Sequence, residues 1–169
     1  MADAPEPQLD GLLRNAERYE RVFTASGLPT APALKLAIVA CMDSRIDLFG
    51  LLGLHLGEAH VIRNAGGLVT DDVLRSLTLS QALLGTREIV VIQHTGCGLH
   101  GAEDALRERV IEATGSEPPW PLGGFEDIEA SVRSQLDRLR STPNLIGGGS
   151  ARGFIYDVET GSLDEVSAA

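Results

Sequence analysis

Cysteine is scarce in this chain. Only two are present among 169 residues, and aromatics make up 4%. Two cysteines cannot build the disulfide framework of a small secreted domain; they suit thiols or metal ligands in a reducing compartment. Long apolar runs are missing too. The longest unbroken one spans Leu36 to Met42, far below the ~20 residues that a membrane-spanning helix needs. The first thirty residues contain acids and no apolar block, so no secretory leader is expected. Bases are outnumbered, 14 Lys and Arg against 24 Asp and Glu, for a net charge of −10, and they are scattered. That balance argues against nucleic acid and anionic membranes as partners, because both require clustered cations. The expectation is a soluble, cytoplasmic protein.

Hydrophobic residues reach 43% and charged residues 22%, a globular balance at a length that suits one domain. Residues 1–169 are therefore read as a single unit, with an N-terminal helical arm over 1–34 and an α/β core over 35–169. After an acidic, proline-containing lead, Leu9, Leu12, Leu13, Ala16, Tyr19 and Phe23 form a helical stripe. One stripe on an arm must cover either its own core or a partner subunit. Three short runs rich in β-branched residues follow, at 35–41, 59–64 and 88–94. Continuous apolar runs of this length suit strands buried on both faces, as in parallel sheets. Helices are expected between and after them, over 45–57, 70–85, 101–115 and 125–141. Thr70 is placed to cap the second and Gly85 to stop it. The tail reads as two strands separated by Thr160-Gly161. The predicted fold is a central, mostly parallel sheet flanked by helices, with about four parallel strands and a C-terminal antiparallel edge strand.

In open α/β sheets, ligands bind beyond the carboxyl ends of the strands. Cys41 ends the first predicted strand, His94 ends the third, and Cys97 follows in the next turn. Cysteine is often buried simply as a small hydrophobe, and H-x-x-C is a weak motif by itself. The coincidence of both cysteines with a histidine at two strand ends outweighs that reading. Two thiolates and one imidazole form a soft, tetrahedral set suited to Zn²⁺, and three protein ligands leave a fourth position open, as in catalytic zinc sites. Asp43 and Arg45 stand just past the first ligand. Asp43 could orient a zinc-bound hydroxide, or take the fourth position and close the site. Arg45, with its fork of donors, could hold that carboxylate away. Two thiolates also cancel the charge of Zn²⁺, so such a site should work best at alkaline pH.

The pattern C-x-D-x-R in "CMDSR" followed by H-x-x-C in "HTGC" resembles that of the β-class carbonic anhydrases. "VIRNAGG" is similar to that family's Arg-Asn loop, and "RGFIYDVETGSLDEV" to its C-terminal strands. The resemblance runs from about residue 35 to the C-terminus and is closest to the compact branch of the family. It implies one zinc per subunit on Cys41, His94 and Cys97, with Asp43 and Arg45 as a catalytic dyad. It implies that the Gly98 N–H faces substrate or bicarbonate. It further implies a lyase that reversibly hydrates CO2 to bicarbonate and a proton on zinc-bound hydroxide. The assembly it implies is a homodimer or dimer-based oligomer in which the N-terminal helix embraces the neighbour.

Two departures matter. Pro32 stands where plant-like members place a Gln, so the substrate contact from that side is not expected; Ile38 stands where bicarbonate-inhibited members carry a Trp, so regulation by a second bicarbonate is not expected. Hydrolysis of carbonyl sulfide or carbon disulfide on the same zinc site is the alternative reaction. A catalytically silent zinc-binding or thiol-sensing protein is the reading from another class, and the Asp43–Arg45 pair counts against it. His100 is read as a surface or capping residue rather than a proton relay, His55 and His60 as structural, and Trp120 as a loop anchor or interface residue.

Overall fold

Five of the six residues in the first strand, β1 (Leu36–Cys41), are buried, so both of its faces are covered. A computed structural model describes residues 9–146 and 148–167; the lead over residues 1–8 lies outside the described residues. β2 (Ala59–Asn64) and β3 (Glu88–His94) run parallel to β1 on either side of it. β4 (Arg152–Tyr156) pairs parallel to β3, and β5 (Leu163–Val166) closes the edge antiparallel to β4. The order is β2-β1-β3-β4-β5. The chain leaves β1 toward β2 and later returns to the other side of β1, which makes the β1/β3 boundary the switch point of the sheet. Their carboxyl ends diverge there and leave the crevice in which α/β sheets bind ligands.

One apolar layer packs Ala37, Val39 and Val91 against Val73 and Leu77 of α3 (Asp71–Leu84) and Val132, Leu136 and Leu139 of α5 (Ile128–Arg140). The opposite layer packs Ile38, Ala40 and Ile92 against Ile46, Leu48, Leu54 and Phe125 and contains both cysteines. Leu136 is almost fully buried and lies against Gly153, where an added Cβ would stand 3.1 Å from its Cδ1. Leu136→Ala is expected to cost about 2–5 kcal/mol, read by urea denaturation.

Helix ends follow the capping rules. The Val73 N–H donates to Thr70 Oγ1 at 3.4 Å, and Gly85 takes the left-handed conformation at φ 77°. α4 (Glu103–Thr114) stops at left-handed Gly115, and α5 starts at Asp127, which caps the Ala130 N–H. One element differs clearly from expectation. The helix predicted over 45–57 shrinks to α2 (Leu48–Leu52). Asp47 accepts from the Gly50 N–H and starts it late, and Gly53, left-handed at φ 65°, stops it after five residues.

α1 (Leu9–Val22) forms as the stripe predicts, but its apolar residues are not covered by the chain itself. Leu9 is 61% exposed, Leu12 61%, Leu13 56% and Tyr19 54%. Among the described residues no helix is long and apolar enough to cross a membrane. His60 Nδ1 lies 2.7 Å from Ser80 Oγ, which in turn bonds Thr86 Oγ1 at 2.8 Å, a structural use. His100 sets its ring edge-on to Phe125, and Trp120 is exposed.

Candidate metal centre

The ends of β1 and β3, together with the turn after β3, place the Sγ atoms of Cys41 and Cys97 and one ring nitrogen of His94 within 4.8 Å of one another. All three residues are buried. His94 Nδ1 lies 2.9 Å from the Thr95 carbonyl. A carbonyl can only accept, so the proton is assigned to Nδ1, and Nε2 presents a bare lone pair. That nitrogen is buried and has no hydrogen-bond partner. A buried acceptor left without a donor costs free energy, and a cation among two sulfurs and a nitrogen would satisfy it. The donor set and its spacing thus fit Zn²⁺.

Burial pushes the Cys97 thiol up from its ordinary pKa, opposed by a hydrogen bond from the Leu99 N–H. Metal uptake must therefore displace protons, and zinc affinity should fall as pH falls.

Asp43 stands at the rim of this group. Arg45 donates to it three times: Nε to Oδ1 at 2.9 Å, Nη2 to Oδ2 at 2.8 Å, and the backbone N–H to Oδ1 at 2.9 Å. The Arg45 side chain, first, and its backbone N–H hold the Asp43 carboxyl far below the usual carboxylate range. It is ionised at every working pH, so titration of Asp43 cannot shape an activity profile near neutrality. Arg45 also donates to the Gly96 carbonyl at 3.0 Å, which ties the pair to the turn carrying Cys97. Asp43 Oδ2 remains 3.7 Å from His94 Nε2. Gly98 is exposed in the turn after Cys97, and its N–H has no acceptor among the described residues.

Several contributors carry no clear sequence signal. The Thr95 and Gly96 carbonyls are main-chain atoms, which residue identity does not reveal. Phe125 and Ile128 line a cavity of about 190 Å³ together with His94, Cys97 and His100. Phe125 reaches it because its N–H donates to Leu99 O and its carbonyl accepts from the Gly101 N–H. Two other contributors had a visible signal. Arg63 is the one Lys or Arg in the 59–64 strand run, and it donates to three carbonyls of the Cys41–Ile46 turn. The Gly66-Gly67 pair follows that strand, and Gly67 packs against the backbone of Cys41 and Ile92.

A family model described as Carbonic anhydrase matches residues 36–117. Beta-carbonic anhydrase 1 of Mycobacterium tuberculosis is 46% identical over 159 residues, covering 94% of this chain and 97% of its own length. A carbon disulfide hydrolase of Acidithiobacillus thiooxidans is 34% identical over 76% of this chain and 75% of its own. The crystal structure of carbonic anhydrase from Streptococcus mutans superposes with a TM-score of 0.88 at 40% identity, covering 94% of this chain and 97% of that one.

Proposed function

The chain belongs to the β-carbonic anhydrase family, and from that premise we propose that it is a zinc lyase catalysing the reversible hydration of CO2 to bicarbonate and a proton. Cys41, His94 and Cys97 would hold the ion. Zn²⁺ bound there supplies the Lewis acidity that makes water a nucleophile toward the CO2 carbon. The observation that carries this reading is the buried, unpartnered His94 Nε2 between two thiols, with the Asp43 carboxylate engaged by Arg45 beside it.

The chain's own residues divide the remaining work. Asp43 is an acceptor at the rim, suited to take a hydrogen bond from the nucleophile and aim its lone pair. Arg45 keeps that carboxylate from closing the open position. The Gly98 N–H is a donor for a bicarbonate oxygen, and Phe125 and Ile128 give CO2 an apolar wall. The Cys41 and Cys97 thiolates neutralise the ion's charge, so hydration should run faster at pH 9 than at pH 7. The exposed stripe on α1 supports a homodimer in which a second copy covers Leu9, Leu12 and Leu13. The cytoplasm, where thiols stay reduced, is the compartment that suits two cysteine ligands.

Stopped-flow hydration of CO2 at both pH values, with CS2 hydrolysis measured alongside, tests the reading. CO2 should be the faster substrate. Zinc without either activity would refute the assignment, and a faster CS2 reaction would reassign the substrate. Arg45→Ala should keep its zinc and lower CO2 hydration about 10- to 100-fold.

A further inference from the structure

We infer that Glu103 is a positioning residue for CO2 capture: its carboxylate ties the loop over residues 118–124 to the start of α4, so that Phe125 stands as a wall of the cavity beside the metal site. The inference rests on the zinc-lyase reading above and goes beyond it in giving the substrate wall its anchor.

The loop cannot hold itself. Pro118, Pro119 and Pro121 have no N–H to donate, and the chain forms neither helix nor strand from Gly115 to Gly124. Two side chains one turn apart on α4 satisfy its main chain instead. The Glu103 carboxylate accepts from the Leu122 N–H at 2.7 Å on Oε1 and from the Gly123 and Gly124 N–H groups, both at 2.9 Å, on Oε2. Arg107, its i+4 partner, donates to the Pro118 carbonyl at 2.7 Å and to the Trp120 carbonyl at 3.3 Å. Donors of the loop meet the acid, and acceptors meet the base. The N–H groups of Gly124, first, and Leu122 hold the Glu103 carboxyl below its ordinary pKa, so both oxygens remain acceptors across the working range. The approach is close: a Cβ on Gly124 would stand 2.8 Å from Gly101 O and 3.1 Å from Glu103 N.

Phe125 is the next residue. Its N–H donates to Leu99 O at 3.1 Å and its carbonyl accepts from the Gly101 N–H at 2.8 Å, which joins it to the turn after Cys97. Its ring is buried and, with Ile128, lines the cavity that His94 and Cys97 also line. Those two bonds fix one residue; Glu103 fixes the chain that arrives at it. A glutamine at 103 would offer one acceptor oxygen to three N–H groups and turn its own NH2 toward the rest. Loop and wall should then loosen together, while Cys41, His94 and Cys97 keep the positions set by the ends of β1 and β3.

The test compares zinc-loaded wild type with Glu103→Gln, Phe125→Ala and the double variant, by amide hydrogen exchange and by stopped-flow CO2 hydration. Glu103→Gln should keep one zinc per chain and lose protection at the Leu122, Gly123 and Gly124 amides. Its KM for CO2 should rise about 3- to 10-fold with kcat unchanged, since an apolar wall contributes to binding and not to the chemical step. Phe125→Ala should raise KM by a similar factor with those amides still protected. The double variant should show no further rise, because both changes remove the same wall. Asp104→Asn removes the neighbouring acid of the same first turn and should match wild type in every reading. Glu103→Asp, with both oxygens one carbon short, should fall between wild type and Glu103→Gln, and it carries the test where the glutamine variant does not fold. A Glu103→Gln protein with wild-type KM, or one that loses its zinc, would overturn the inference. So would a KM rise that Asp104→Asn shares or that adds to that of Phe125→Ala, since either points to general loosening. A wild type that binds no zinc and hydrates no CO2 would refute the underlying function instead.

Discussion

Cys97→Ser is expected to fold, to lose its zinc, and to lose CO2 hydration with it. Structural zinc sites bind with about 10–16 kcal/mol across four ligands, so one ligand accounts for about 2.5–4 kcal/mol, or roughly a 10²- to 10³-fold loss of affinity. The true loss should lie at the upper end. A serine hydroxyl stays protonated where the thiol ionises, so it brings no negative charge to the ion. The substitution barely changes volume at a position 8% exposed, so the fold has little reason to fail. Metal analysis after dialysis against a weak chelator, followed by stopped-flow assay, separates the two effects. A Cys97→Ser protein that retains metal and full rate would remove Cys97 from the ligand set.

Gly67→Ala is expected to damage the fold at the point where it supports the site. Gly67 has φ +62°, and a Cβ there would lie 2.7 Å from Ile92 O, 2.8 Å from Cys41 N and 3.1 Å from Ala40 C. Those are main-chain atoms of the two central strands, so no side chain can swing aside. A left-handed alanine costs about 1–2 kcal/mol, and overpacking adds about 1–3 kcal/mol. Together they predict a loss of about 2–5 kcal/mol in urea denaturation, with weaker zinc retention because Cys41 itself is displaced. Gly149→Ala is the control: nothing lies within 4 Å of its added Cβ and its φ is not positive. It should stay within about 0.5 kcal/mol of wild type.

These two positions mark where sequence reasoning reaches and where it stops. The runs at 59–64 and 88–94 became β2 and β3 with those bounds; β3 is buried on both faces as its apolar run implies, whereas β2 lies at the sheet edge and none of its residues is fully buried. Cys41, His94 and Cys97 were legible for the same reason, since each sits at or just past the end of such a run. The helix expected over 45–57 is shorter in the structure because Asp47 and Gly53 set its limits locally. Phe125 was not visible as a wall of the site. It is carried there by a loop pinned at a distance, with the Glu103 carboxylate accepting from the Leu122, Gly123 and Gly124 N–H groups at 2.7, 2.9 and 2.9 Å. Contacts between side chain and main chain across twenty residues leave no pattern in composition or period. Arg63 belongs to the same class, since its three bonds go to main-chain carbonyls of the Cys41–Ile46 turn.

The central claim is that CO2 hydration depends on one zinc held by Cys41, His94 and Cys97. Titrating Zn²⁺ into metal-free protein at pH 9, with the stopped-flow rate recorded at each addition, tests it most directly. The account predicts a rate that rises linearly and breaks at one zinc per chain. A rate present without metal, or one unchanged through that point, would contradict it.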